Sequence, residues 1–250
     1  PPAADFGGWY LRGDIGMTNQ SMKSLNSKDD PILISQSGIG FDSSTLFGVG
    51  VGYQFNNWFR ADVTGQYRGR ANLHGSQSLS YFDASLNGGA GGTVYQANNY
   101  TGSKSEALFL VNAYVDLGTW WCITPFVGAG IGTSYNHISG FQDAGIANSG
   151  GAALPGSVTY FKDGGKWNFA WAAHAGLSYR VSPSLTLELA YSFVNLGNAV
   201  PGDFASYDGF SSGATSFKFH DITSHDLKLG VRWELNSPPV YASPPLITKG

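Results

Sequence analysis

The residues that carry the most chemistry in this chain are Arg12, Asp14, Arg60, Asp62, Arg68, Asp116, His174, Arg180, Glu188, Asp226, Lys228, Arg232 and Glu234. Each stands in a stretch where polar and apolar residues alternate, so each lies on a face opposite a row of apolar side chains. Carboxylates and guanidiniums gathered on one face have two uses. They can pair with one another and fill a space, because isolated charges away from water are expensive and paired ones tolerable. Alternatively they can line a narrow path for ions or small polar solutes. The paired network is the first expectation and the path is its rival.

Other candidate chemistry is weaker. His137-Ile138-Ser139 puts a base and a nucleophile on the same side of a strand, as a hydrolase requires, but no Glu is near in sequence and Asp143 falls in a segment that reads as loop. The alternating glycines Gly48-Gly50-Gly52 and Gly128-Gly130-Gly132 are followed by no helix that could lend its N-terminus to a phosphate. Their simpler use is to make room for Arg and Tyr side chains on neighbouring strands. His74, His137 and His220 lack ligand-like spacing, so no metal and no cofactor is expected. Cys122, the single cysteine, allows no intrachain disulfide and reads as a small residue in a Trp-rich turn. A net charge of −3 offers no general attraction to nucleic acid.

The elements that must position the charges are strands. In the last, Leu227, Leu229, Val231, Trp233 and Leu235 alternate with Asp226, Lys228, Gly230, Arg232 and Glu234. The same division recurs in seven earlier segments: 9–17, 47–55, 59–68, 107–117, 127–135, 169–180 and 185–193. Each is about ten residues long, the length a tilted strand needs to cross a bilayer, and no helical pattern separates them. The pattern predicts an all-β fold: an eight-stranded antiparallel transmembrane β-barrel, closed because an open sheet edge in hydrocarbon leaves unsatisfied backbone groups. A mean hydropathy of −0.12 is no objection, since inward polar residues dilute the outward apolar ones.

Connection lengths set the orientation. Asn56-Asn57-Trp58, Gly118 to Cys122 and Val181 to Ser184 are short turns, whereas 19–46, 69–105, 136–168 and 195–223 are long and rich in Gly, Ser, Asn and Asp. Short periplasmic turns and long extracellular loops are the asymmetry of outer-membrane barrels, which places both termini in the periplasm. Aromatics agree: Trp9, Trp58, Trp120, Trp121, Tyr179 and Trp233 fall at the turn ends, Tyr67, Phe109, Tyr135, Phe169 and Trp171 at the loop ends. Loop aromatics such as Tyr95, Tyr100, Phe141, Phe161, Tyr207, Phe210, Phe217 and Phe219 suit either an adaptable contact surface or packing above the barrel mouth. The organisation expected is a periplasmic segment over 1–7, a barrel over 8–235 and a Pro-rich periplasmic tail over 236–250, any signal peptide having been removed. Pro238-Pro239 and Pro244-Pro245 favour an extended arm, which either approaches peptidoglycan or a periplasmic protein, or binds nothing.

Three segments carry a family likeness: Gly8-Trp9-Tyr10-Leu11-Arg12-Gly13-Asp14-Ile15-Gly16, Thr124-Pro125-Phe126-Val127-Gly128-Ala129-Gly130-Ile131-Gly132, and His225-Asp226-Leu227-Lys228-Leu229-Gly230-Val231-Arg232-Trp233. With them the chain resembles the small opacity-like outer-membrane proteins of alphaproteobacteria, of the porin-family barrels. The resemblance covers nearly the whole barrel but not the long loops. It implies an eight-stranded barrel in the bacterial outer membrane, with roles in envelope integrity and surface contact and no shared catalytic site. A narrow passive channel is the alternative, and a lipid A-modifying enzyme, as some eight-stranded barrels are, comes third. The implied partners are outer-membrane lipid and lipopolysaccharide, and the barrel assembly machinery. Such barrels commonly end on an aromatic residue that this machinery reads. Here Lys228, Gly230, Trp233 and Leu235 look like an internal form of that signal, followed by the tail.

Overall fold

The computed structural model describes residues 8–27, 33–206 and 217–235. The N-terminal segment 1–7, the Pro-rich tail with its expected arm, and Tyr207 and Phe210 lie outside the described residues. The strands are β1 (Gly8–Ser21), β2 (Ser24–Ser27), β3 (Leu33–Phe41), β4 (Ser44–Gln54), β5 (Phe59–Asp83), β6 (Gly92–Asp116), β7 (Ile123–Ser149), β8 (Ala152–Phe161), β9 (Gly164–Arg180), β10 (Leu185–Ala199), β11 (Phe204–Ser206) and β12 (Phe217–Glu234).

Eight of them form a closed antiparallel ring. In order round the wall, β1, β4, β5, β6, β7, β9, β10 and β12 pair with their neighbours, and β12 returns to β1 from Tyr10↔Glu234 to Ser21↔Thr223. These are the eight segments in which the sequence alternates. Val63, Val111, Ile131 and Leu189 point outward at mid-wall, more than two-fifths exposed, while Arg60, Asp62, Thr64 and Asn112 point inward and are buried. This sidedness is the reverse of a water-soluble barrel's and defines the lipid-facing band. Trp9, Phe55, Trp58, Trp120, Trp121, Tyr179 and Trp233 ring its periplasmic end, and Phe47, Tyr67, Phe109, Phe169 and Trp171 the outer end, joined there by Trp167 and Tyr191.

Turns on the periplasmic side are tight. Asn56 accepts hydrogen bonds at its Oδ1 from the backbone N–H groups of Trp58 (3.0 Å) and Phe59 (2.8 Å), fixing the β4–β5 turn. Between β6 and β7, Trp120 and Ile123 exchange both backbone hydrogen bonds across Trp121 and Cys122, whose φ values are +51° and +67°. Two successive positive φ angles are those of a type I′ turn, which matches the twist of the strands it joins.

The outer connections are long, as their composition predicts, but most of their length is strand. β5 and β6 have 25 residues each and β7 has 27. About ten residues suffice to cross the bilayer, so these strands run on for roughly 15 residues, about 50 Å of strand at ~3.3 Å per residue. Asp143, expected in a loop, lies inside β7. β3 pairs with β5, β8 with β7, β11 with β8 and β2 with β12, extending the wall above the membrane.

At the outer rim the sidedness inverts. The β5–β6 register shifts between Arg68 and Ala71, so Arg60 to Arg68 face inward at even positions, whereas Ala71, Leu73, Gln77 and Leu79 face inward at odd ones. β7 gains a residue at Gly140, φ +58°, which turns Phe141 inward where parity would have turned it out. β10 shifts around Gly197, φ +73°, which pairs with Ile222 of β12 beside Asp221, φ +48°. Such bulges insert one residue into one strand of a pair and concentrate at barrel rims. Above them the interior is largely apolar: Leu25, Phe41, Leu73, Phe141, Leu196 and Phe219 belong to one buried cluster, with Gln77 held by the Tyr100 hydroxyl (2.6 Å) among its polar exceptions.

An arginine at Val111, mid-wall and outward, should cost about 2–4 kcal/mol in reversible unfolding from lipid vesicles, against much less for Val111→Ala. A loss below about 1 kcal/mol for Val111→Arg would place this residue away from hydrocarbon.

Candidate functional site

The lumen between the girdles holds two tiers of charge. In the lower tier Arg12 donates from Nη1 to Asp62 Oδ2 (2.8 Å) and Tyr114 Oη (3.0 Å), and from Nη2 to Asp14 Oδ1 (2.9 Å). Glu188 lies among three guanidiniums, at 3.5 Å from Arg12, 3.2 Å from Arg60 and 3.4 Å from Arg232, and also accepts from Ser178 Oγ (3.2 Å). Arg60 reaches Asp116 (3.3 Å), and its guanidinium carbon sits 4.4 Å from the Tyr114 ring centre and 4.7 Å from that of Phe126. Arg232 pairs with Glu234 at 3.2 Å.

Sequence spacing delivers these contacts through the ring's register. Arg12 stands opposite Gly50 and Arg232, and Asp62 opposite Gly52 and Asn112. Small inward residues are needed beside the long ones: a Cβ at Gly52 would overlap the Tyr10 ring, and one at Gly128 the Tyr114 ring. The superficial phosphate-loop pattern is thus a packing pattern.

A relay of neutral groups joins the lower tier to the far wall. Asn112 Nδ2 donates to Asp62 Oδ1 (2.7 Å), so its Oδ1 accepts from His174 Nε2 (3.1 Å), which leaves His174 Nδ1 to accept from Ser192 Oγ (2.7 Å). In a neutral imidazole these partners put the proton on Nε2. His174 therefore belongs to the lumen's hydrogen-bond network and not to its ion pairs.

In the upper tier Arg68 pairs with Asp226 and, at 3.3 Å, with Glu106. Glu106 pairs with Lys104, and Gln20 bridges both, donating to Glu106 (3.0 Å) and accepting from Lys104 (2.8 Å). Sequence alternation ends the fourth segment at Ala107 and so omits Lys104 and Glu106. A signal for them exists, since even positions of β6 remain inward from Asp116 down to Lys104. Two expected members stand apart. Lys228 is buried and inward but makes no direct ion pair among the described residues. Arg180 is exposed at the periplasmic end, where it lines a cavity of about 460 Å³ with Asp116, Ser178, Thr186 and Arg232. It belongs to a vestibule and not to the packed lumen.

Above the upper tier the Lys104 ammonium lies 5.5 Å from the Phe41 ring centre, where the polar lumen meets the apolar core. Phe141 packs on Tyr100, Phe161, Phe217 and Phe219 with ring centres 4.9–5.9 Å apart. These aromatics pack over the mouth, whereas Phe82, Tyr95 and Tyr160 are exposed. Packing above the mouth, one of the two uses foreseen for loop aromatics, is thus what Tyr100, Phe141, Phe161, Phe217 and Phe219 do.

The remaining candidates do not assemble. His137 lies 3.9 Å from Asp163, while Ser139 Oγ is bonded to Ser103 Oγ (3.0 Å). His74 faces Asp42 at 3.5 Å, on another part of the wall. Among the described residues no group of His, Cys, Asp and Glu could hold a metal ion. Of the segment read as an assembly signal, Lys228 and Gly230 point inward and Trp233 and Leu235 outward.

Two consequences are measurable. Glu188→Leu leaves three guanidiniums facing an apolar group and should cost about 3–5 kcal/mol, read from urea unfolding in vesicles; a loss under about 1 kcal/mol means that other carboxylates take up its charges. In planar bilayers the protein should show no steady conductance, and Arg12→Ala should open none, because the apolar core remains in series. Stable unit openings of the unmodified protein would show the lumen to be unsealed.

Residues 1–234 match the family model described as the outer membrane protein beta-barrel domain. An uncharacterised protein of Brucella abortus (strain 2308) is 32% identical over 256 residues, spanning 93% of this chain and 87% of its own length. A Rickettsia bellii (strain OSU 85-389) protein, provisionally named an adhesin, is 31% identical over 91% of this chain and 88% of its own. The outer membrane protein PagN of Salmonella typhimurium is 24% identical over 90% and 89%. With a closed ring, a lipid-facing band and a family match across the whole barrel, this chain belongs to the outer membrane protein β-barrel domain family and resides in the bacterial outer membrane.

Proposed function

We propose that this protein is a surface-interaction barrel: a sealed scaffold that holds a tall β-sheet ectodomain outside the cell. The observation that carries the reading is the length of β5, β6 and β7, whose outer halves add nothing to crossing the membrane. Building so much ordered strand beyond the bilayer costs chain entropy that a plain structural barrel has no need to meet. The relatives whose names point to adhesion, from Rickettsia bellii, align over the ectodomain as well as the wall, since they cover 91% of this chain.

The likeness to opacity-like barrels rests on the segments beginning at Gly8, Thr124 and His225. A contribution to envelope integrity lies in the two filled layers of the lumen, which keep the scaffold from leaking. Trp233 and Leu235, outward at the periplasmic end, are the residues of the assembly signal open to the machinery before insertion. The Pro-rich tail remains a candidate tether to peptidoglycan or a periplasmic protein.

Replacing residues 80–95, the tip of the β5–β6 hairpin, with an Asn-Gly turn should abolish adherence of expressing bacteria to epithelial monolayers while the barrel still folds and reaches the surface. Undiminished adherence by that variant would remove the tip from any contact role.

A further inference from the structure

At the periplasmic end the vestibule holds a reactive group that the packed lumen does not use. Cys122, the single thiol of the chain, is exposed and lines the cavity of about 460 Å³ together with Asp116, Ser178, Arg180, Thr186 and Arg232. Its carbonyl accepts from the backbone N–H of Arg180 (3.3 Å), which ties the β6–β7 turn to the end of β9 and keeps both residues on one rim of the cavity. Hydrogen-bonding capacity is left over on this lining. Thr186 is 2% exposed, yet its hydroxyl has no partner among the described residues. Arg232, also buried, meets Glu234 from Nε at 3.2 Å and Glu188 from Nη1 at 3.4 Å, in both cases without hydrogen-bond alignment. Asp116 accepts at Oδ1 from Arg60 Nε (3.3 Å), which leaves its other oxygen for a donor. Buried polar groups without partners are costly, so an occupant bearing both an acceptor and a donor is favoured here. Guanidiniums match carboxylates, and a carboxylate beside an ammonium is the head of an amino acid. The volume lies within the range of ligand clefts, roughly 300–1,000 Å³.

We propose that the vestibule is a thiol-modification site that captures small amino-acid disulfides of the cystine type. The carboxylate of the amino-acid head faces Arg180, Arg232 and the Thr186 hydroxyl, its ammonium faces Asp116, and its sulfur meets Cys122. The Cys122 thiolate attacks that sulfur. A new S–S bond forms as the old one breaks, and the other half leaves as a thiolate that takes up the proton Cys122 has lost. One disulfide and one thiol become another disulfide and another thiol, with the small disulfide as the only oxidant. The periplasm is an oxidising compartment in which the product persists, and the chain has no second thiol to compete for Cys122.

The test uses the full chain in lipid nanodiscs and follows the adduct at the cysteine by intact mass and peptide mapping. Three disulfides are supplied separately at equal concentration: cystine, cystamine, which lacks the carboxylates, and dithiodiglycolate, which lacks the ammonium groups. The variant Trp121→Cys, Cys122→Ser supplies a reference thiol one residue away, at a position that is 94% exposed and does not line the cavity. Divided by the rate at that reference thiol, the rate at Cys122 should be about tenfold higher with cystine than with either of the others. Arg180→Gln, a change at an exposed position, should erase this preference with an unchanged melting temperature. Should that variant fail to fold, Thr186→Val should weaken the preference by itself. Equal relative rates for the three disulfides, no adduct at Cys122 with cystine, or a preference that survives these substitutions overturns the proposal.

Discussion

Between the two aromatic girdles no water is available to the backbone, so every N–H and C=O there must be bonded within the sheet, and the sheet has to close. That requirement sets most of the architecture. Closure at eight strands gives an interior just wide enough for side chains to fill, and this chain fills it with Arg, Tyr and Glu, made to fit by glycines at inward positions of the next strand. Because those side chains are long and charged, each needs several partners, and Glu188 with its three guanidiniums is what ring closure brings together from β1, β5, β10 and β12. No two of these partners are close in sequence.

Beyond the outer girdle the solvent changes and the constraint is lifted. The strands continue, but outward positions now face an aqueous layer and inward ones a space that water need not enter. Bulges near Arg70, Gly140 and Gly197 make the exchange, each shifting its strand by one residue so that apolar side chains turn in. One polypeptide thereby has two cores of opposite character stacked end to end. Lys104, paired with Glu106 below and set against the Phe41 ring above, sits at their junction. The lumen is closed twice, by different physics: ion pairs that depend on well-placed partners, then packed rings that depend on excluded area.

The sequence discloses the ring plainly, because alternation over ten residues is a strong signal when it recurs eight times. It discloses the outer strands poorly. Gly69 to Ser105 reads as loop because Gly, Ser and Asn dominate it, yet such residues pair well in a sheet with one wet face, and Ser76, Ser78 and Ser80 are there on that face. A bulge also hides the period: even positions carried on past Arg68 would put Leu73 and Leu79 outward and leave no core to recognise. Lys104 and Glu106 are hidden for a related reason, being the last inward charges of a strand whose outward apolar row stops at Ala107. Nothing in composition announces a single inserted residue, whereas backbone register shows it at once.

This division explains where variation is tolerable. The lower barrel is over-determined: a change in Arg12 or Asp62 disturbs partners on other strands, and a change in an inward glycine disturbs the aromatic beside it. The ectodomain wall is bonded mainly by its backbone ladder, with a few outward side-chain bonds such as Ser37 to Ser76 (2.9 Å) and Asn72 to Asp42 (3.0 Å), and so rests less on any one side chain. Charge obeys the same logic. The barrel holds many of its ionic residues in the lumen, where pairing stabilises them. A scaffold with its charges paired inside and its outer strands tied by backbone ladders can carry the tips of its hairpins well beyond the membrane.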